Sequence, residues 1–309
     1  MSSMIEVKGL EKSFANNKAL ASVSLDVEEG EMFALLGPDG AGKTTLMRIV
    51  CTLLDADRGD ASLGGFSVSG EPEKIREIVG YMPQRFSLYG DLTVRENLDF
   101  FARLLGVPRR KREERMKELL EFSRLGGFVS RRAEALSGGM KQKLALSCVL
   151  IHQPKVLVLD EPTTGVDPVS RREFWRMLEE LKSKGTTILV STPYMNEAER
   201  CDRAAMMYAG RILFNGTTDE VRSAFEGEIL EVKSGELKRL AARIKEVVPT
   251  RFVQILGDRI RVVLPAKYAH IEKDISALLL TEGVGTDGIE KAAPGIEDTF
   301  IALMEGRDE

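Results

Sequence analysis

An α/β domain built on a mainly parallel sheet, followed by a small α+β domain, is the fold class that this sequence predicts. Three observations carry the prediction. Apolar strand-like runs alternate with helical periods as far as residue 222, the order that lays helices on the faces of a parallel sheet. A glycine-rich turn, Gly37 to Gly42, separates a short apolar run from a helix start. After about Phe225 the pattern changes to strand pairs interleaved with amphipathic helices. A chain of 309 residues accommodates two domains of ordinary size, expected here at 1–225 and 226–309.

Ile5 to Val7 and Ala21 to Val27 read as early strands, and Met32 to Leu36 as a short buried strand ending at Gly37. Helix begins near Lys43. Thr93 followed by Glu96 is the pattern of a capping box, opening a helix through Ala102, and Arg110 to Leu120 continues with a helical period. Residues from about 85 to 150 therefore form a helical subdomain set into the α/β domain. Val156 to Leu159 is again a buried strand, Ser170 to Ser183 a helix stopped by Gly185, and Thr186 to Val190 a further strand. In the second domain, strands are expected at Ile229 to Val232, Phe252 to Leu256 and Ile260 to Leu264. The last two are joined across Gly257, Asp258 and Arg259 as a hairpin turn. Leu237, Leu240, Ile244 and Val247 recur at helical spacing, as do Ile271, Ile275, Leu278 and Leu279, which gives a βαββαβ-like order.

Composition narrows the function classes. With 43% hydrophobic and 30% charged residues the chain reads as globular and water-soluble. Its apolar runs fall far short of the ~20 residues of a spanning helix, and Met1 to Leu10 lacks the apolar core of a leader peptide. A cytoplasmic location is expected. Cys51, Cys148 and Cys201 are widely separated, which suits small buried thiols rather than a disulfide frame or zinc cluster. A net charge of -4 gives no general attraction for nucleic acid, and none is expected as a partner. The basic run Arg109 to Arg112 precedes Glu113 and Glu114, as on a solvated helix face.

Gly37-Pro38-Asp39-Gly40-Ala41-Gly42-Lys43-Thr44, followed by Thr45, has the spacing of a phosphate-binding loop. Its glycines let backbone N–H groups turn inward onto phosphate oxygens, and the following helix aims its positive end at them. Lys43 would neutralise the terminal phosphates of a nucleotide and Thr44 would ligate magnesium. The apolar run Val156 to Leu159 delivers Asp160 to the metal and Glu161 to the γ-phosphate as candidate general base. Leu136-Ser137-Gly138-Gly139-Met140-Lys141-Gln142 opens another helix and makes a second anion site, which a single nucleotide does not need.

Together these motifs resemble the ATP-binding subunit of an ABC transporter over roughly Met4 to Arg222. The resemblance implies a P-loop NTPase cassette whose cofactors are ATP and Mg2+. It implies that Ser137, Gly138 and Gly139 close over the nucleotide held by an opposite cassette. Phe14 resembles the aromatic that stacks on adenine, with a strand-edge core residue as the plainer alternative. Gln84, in Tyr81-Met82-Pro83-Gln84, resembles the glutamine that touches magnesium or the attacking water. Asp167, in Gly165-Val166-Asp167-Pro168, resembles the loop through which paired cassettes sense each other. Phe86, Leu88 and Tyr89 would line the groove for a membrane partner, or serve as local core.

One position departs from the family. A switch histidine is expected after the strand Thr187 to Val190, but Ser191-Thr192-Pro193-Tyr194 places proline there. Proline has neither a side-chain donor nor a backbone N–H with which to contact phosphate. His152 and His270 lie elsewhere in the sequence and read as structural or exposed. Asp39 is a smaller departure from the usual asparagine. A heterodimer with an unaltered second cassette is the favoured arrangement, a homodimer the alternative.

Pro294-Gly295-Ile296-Glu297-Asp298-Thr299-Phe300 resembles the tail of ATPases that drive ABC-2-type exporters. Its mechanical reading is a short amphipathic helix packing Ile296, Phe300 and Leu303. The resemblance implies an ATPase on the inner face of a membrane, working with ABC-2-type permease subunits in drug or polymer export. A regulatory nucleotide-binding module and a soluble non-transport ABC ATPase are the competing classes.

Overall fold

The computed structural model describes residues 3–15, 17–85, 88–282 and 288–305. Its contacts divide the chain into two compact units, Met1–Asn215 and Gly216–Glu309.

In the first unit, β1 (Ser3–Phe14) and β2 (Asn17–Glu28) form an antiparallel hairpin ahead of the buried strand β3 (Met32–Leu36) and helix α1 (Lys43–Val50). Strands β4 (Arg58–Leu63) and β5 (Phe66–Ser67), helix α2 (Pro72–Ile78) and β6 (Val79–Met82) follow. A helical layer comes next: α3 (Val94–Leu104), α4 (Arg109–Phe122) and α5 (Gly138–Leu150). Thr93 caps α3, and its side chain and that of Glu96 exchange the two reciprocal bonds of a capping box. The chain then returns to the sheet through β7 (Val156–Asp160), α6 (Pro168–Ser183), β8 (Thr187–Thr192), the short α7 (Met195–Ala198), β9 (Arg203–Tyr208) and β10 (Arg211–Thr217).

Two sheets result. The six-stranded sheet runs β10-β9-β3-β8-β7-β6, and every pairing from β9 to β6 is parallel. All residues of β3, β7 and β8 are buried, as strands covered on both faces must be. The other sheet, β2-β1-β4-β5, is antiparallel and was expected only as the fragments Ile5–Val7 and Ala21–Val27. Register shifts within β1 break its period-two pattern and hide its length in the sequence. Between the sheets, Leu46, Met47, Ile49 and Val50 of α1 share one core with residues of β1, β2 and β3. Adjacent parallel strands β3, β8 and β7 end in register, with Leu36 opposite Thr192 and Asp160 opposite Ser191. Their carboxyl ends thus converge, the place where open α/β sheets bind ligands.

The second unit begins with α8 (Thr218–Ser223), which packs on the last helix of the same unit and moves the division ahead of the expected 225/226. Then come β11 (Gly227–Lys233), α9 (Leu237–Ile244), β12 (Val253–Leu256), β13 (Arg259–Pro265), α10 (Glu272–Thr281), β14 (Ile289–Lys291) and α11 (Ile296–Glu305). Sheet order β12-β13-β11-β14 with antiparallel pairing is that of a split βαβ fold. Its core joins Leu230, Val232, Ile260 and Val262 to Leu240, Ile244, Ile275 and Leu279. The hairpin turn is one residue shorter than expected: Arg259 pairs with Leu256 inside the ladder, so Gly257, at φ +60, and Asp258 alone make the turn.

The tail motif has a clear mechanical role. Ile296 and Phe300 are buried and Leu303 is half-buried, while Asp298, 4% exposed, accepts from Arg261 Nη2 at 2.7 Å and Nε at 3.2 Å and from the Gly295 N–H at 2.7 Å. Beside it, Glu297 accepts from Gln254. The Asp298 carboxylate holds the Arg261 guanidinium above its ordinary pKa, against the opposing effect of burial. Breaking a buried, hydrogen-bonded pair from one side is costly. Asp298→Ala is expected to destabilise the second unit by about 3 kcal/mol, read by urea unfolding; Asp298→Asn, which keeps an acceptor, should cost less.

Candidate functional site

β3 delivers the chain to a turn that only glycine can make. Gly37, Gly40 and Gly42 take φ of +154°, +80° and +105°, and a Cβ on Gly37 would lie 2.2 Å from the Met207 carbonyl oxygen of β9. The turn ends on the first residue of α1, Lys43, which is only 4% exposed and whose ammonium turns back on the loop. It donates to the carbonyls of Gly37 at 2.7 Å and Pro38 at 3.0 Å, and pairs with Glu161 Oε1 at 3.2 Å. A cavity of about 340 Å³ opens above this turn. Phe14, Asn17 and Ala19, Asp39 to Thr45 of the turn, and Gln84 and Glu161 line it. Phe14 is 47% exposed, so it is a ring at the cavity mouth rather than a core residue.

Two acids stand at the end of β7. Glu161 is buried; its Oε2 accepts from Gln84 Nε2 at 2.9 Å and from Thr164 Oγ1 at 3.4 Å. Of the catalytic candidates, Lys43 and Gln84 therefore both contact Glu161. Asp160 is fully buried, and Oδ1 accepts from Ser191 Oγ at 2.7 Å while Oδ2 has no hydrogen-bond partner. A buried carboxylate oxygen without a partner, on the residue next to Glu161 of the cavity lining, fits a hard divalent cation.

At the end of β8, Pro193 is half-buried and follows Thr192. The loop around it is tied down. Glu197, 3% exposed, accepts from Thr192 Oγ1 at 2.5 Å and Thr163 Oγ1 at 2.7 Å, with Arg171 Nε at 3.6 Å. The Tyr194 N–H donates to Thr192 Oγ1, and the Arg171 guanidinium lies 4.3 Å from the Tyr194 ring centre.

Several expected residues lie outside the cavity lining. Ser137 caps α5 by accepting from the Met140 N–H, and Gly138 and Gly139 form its first turn. Gly139 has a packing reason of its own, since a Cβ there would meet Ser170 at 2.3 Å. Asp167 caps α6, accepting from the Val169 and Ser170 N–H groups; the Ser170 amide first, then its hydroxyl, hold this carboxyl below the usual range. Leu88 is half-buried and Tyr89 exposed, packing edge-on to Phe100 at 4.6 Å; Phe86 lies outside the described residues.

The bland expectations also have structural counterparts. Cys51, Cys148 and Cys201 are buried free thiols pushed well up in pKa, chiefly by burial. Burial lowers the pKa of His152, whose Nε2 sits 3.1 Å from the Val79 carbonyl oxygen. Among the described residues no helix is long and apolar enough to cross a membrane.

Two polar residues escaped the sequence reading. Ser191 joins both acids to β8, and its only signal is a hydroxyl at the end of an otherwise apolar run. Asn97, fully buried, accepts from the Tyr89 N–H and donates to the carbonyls of Tyr89, Leu92 and Thr93. It thereby ties together the turn of residues 89–93.

Residues 20–164 match the family described as ABC transporter. The chain is 40% identical over 307 residues to the probable multidrug ABC transporter ATP-binding protein YbhF of Escherichia coli; the match takes in 98% of this chain and 52% of that protein, so this chain spans about half the relative's length. It is 36% identical to the Nod factor export ATP-binding protein I of Bradyrhizobium diazoefficiens, over 100% of this chain and 98% of the relative. Among solved structures it resembles a dimeric post-hydrolysis state of the ATP-binding cassette MJ0796 bound to ADP and Pi. That likeness has a TM-score of 0.63 at 25% identity, over 69% of this chain and 98% of the other. Likeness along essentially the whole of both chains, together with a phosphate loop facing an acid pair, gives one assignment: this chain belongs to the family of ABC transporter ATP-binding proteins.

Proposed function

We propose that the chain is the ATP-binding and ATP-hydrolysing subunit of an ABC-2-type exporter, bound to the inner face of a membrane through separate permease subunits. The carrying observation is the contact of Glu161 with both Lys43 and Gln84 at the mouth of the phosphate loop. Relatives named for multidrug, Nod factor and daunorubicin systems support the exporter reading, as does the tail motif around Asp298. The loop of residues 37–44, through backbone N–H groups other than at Pro38, and the Lys43 ammonium would hold the phosphates, with Phe14 against the base and Thr45 at the start of α1. Thr44, Asp160 and Gln84 would hold Mg2+, which when bound supplies charge neutralisation between the phosphates. Glu161 would orient the attacking water and accept its proton.

A second cassette completes the proposal. Ser137, Gly138, Gly139 and Asp167 lie outside the cavity, which fits their use on a nucleotide held by a facing cassette, and the dimeric form of MJ0796 supports that arrangement. Pro193 offers this chain's own site no donor. We favour a heterodimer in which the partner's site turns over faster than this one. The purified chain is expected to bind Mg-ATP and hydrolyse it slowly, with turnover rising when an unaltered partner cassette is added. Vigorous hydrolysis by the chain alone, abolished by Glu161→Gln, would overturn the asymmetric part. Pro193 also supports a second reading, a regulatory nucleotide-binding module; absence of hydrolysis even with permease and partner present would favour it.

A further inference from the structure

We propose that Ser191 is the positioning residue for both acids of the site, aiming Asp160 at the divalent cation and fixing the backbone of Glu161. Ser191 lies in β8, fully buried, directly opposite Asp160 in the parallel ladder with β7. Its hydroxyl has one proton and two lone pairs, and both functions are used. The proton goes to Asp160 Oδ1 at 2.7 Å, and an oxygen lone pair receives the Glu161 N–H at 2.9 Å.

Each bond has a separate consequence. With Oδ1 engaged by Ser191, the other Asp160 oxygen, Oδ2, stays buried and without a hydrogen-bond partner. An unpaired buried carboxylate oxygen is expensive in a protein interior and is relieved by a cation. Glu161 meanwhile has φ +48°, an uncommon conformation for a residue with a side chain. Its N–H is shared between Ser191 Oγ and the Ser191 carbonyl oxygen at 3.2 Å. One serine therefore sets the direction of the cation-side acid and holds the strained backbone that presents the other.

This inference rests on the reading of Asp160 as the cation-side acid, and the experiment separates the two. ATP affinity is measured by calorimetry with Mg2+ and again with EDTA, for the wild-type chain, Ser191→Ala and Ser191→Thr. Partners of metal ligands commonly contribute 10–100-fold in metal affinity, so Ser191→Ala should reduce the Mg2+ enhancement of ATP affinity about tenfold. Its affinity in EDTA should stay unchanged, because Lys43 and the phosphate loop are intact. Ser191→Thr, which keeps the hydroxyl, should retain the enhancement. A wild-type enhancement in Ser191→Ala, an equal loss with and without Mg2+, or a threonine variant no better than alanine would each overturn the proposal. No Mg2+ enhancement in the wild-type chain would instead remove the reading of Asp160, and this proposal with it.

Discussion

Replacing Lys43 with alanine is expected to abolish high-affinity Mg-ATP binding and to lower the unfolding free energy by about 3 kcal/mol. The two losses have different origins. Binding falls because Lys43 belongs to the lining of the cavity, where a polyanionic phosphate chain would sit. Stability falls because Lys43 and Glu161 are 4% and 6% exposed, 3.2 Å apart; without the lysine, Glu161 keeps its desolvation cost and loses its counterion. The carbonyls of Gly37 and Pro38 lose a donor as well. A double-mutant cycle separates these effects. Adding Glu161→Gln to Lys43→Ala should restore part of the stability and none of the affinity. Denaturant unfolding and calorimetric titration of the four proteins check it, and purely additive unfolding energies would argue against the pair.

Gly42→Ala should be comparably severe. At φ +105° the alanine backbone is strained, and its Cβ would stand 2.4 Å from the Ala19 carbonyl oxygen and 2.7 Å from the Met207 side chain. The carbonyl belongs to the backbone of β2 and cannot yield cheaply, so the loop itself must move. About 3 kcal/mol of destabilisation and loss of nucleotide binding are expected. Gly40→Ala is the control, because at φ +80° its Cβ meets nothing within 4 Å. It should cost only the backbone strain, about 1–2 kcal/mol. Equal unfolding energies for the two variants would show that crowding at Gly42 has no effect.

These contrasts also explain what was legible in the sequence. The phosphate loop and acid pair are local: an apolar strand, glycines where the backbone must invert, and a charged residue at the strand end all lie within short windows. The second unit was legible for a similar reason, since its helices and strands each keep a clean period around a small core. The strand Arg203–Tyr208 was not, because Ala204, Ala205, Met206 and Met207 are helix-favouring residues whose burial beside β3 overrides propensity. Ser191 and Asn97 escaped because their significance depends on partners brought together by folding: Ser191 bonds to acids on a neighbouring strand, and Asn97 caps a loop from the helix that follows it. Gly139 was read from a motif, but the need for glycine there is visible only in the approach of Ser170.

That approach has a mechanical consequence. α5 and α6 begin side by side with no room for even a methyl group between Gly139 and Ser170, and Ser170 donates its amide to the carboxylate of Asp167. Ser137–Gly139 thus lies in hard contact with the helix start that Asp167 caps, and Asp167 follows closely on Thr164 and its contact with Glu161. Were occupancy at Ser137–Gly139 to change affinity at the site of Glu161, the reverse change would be by the same factor.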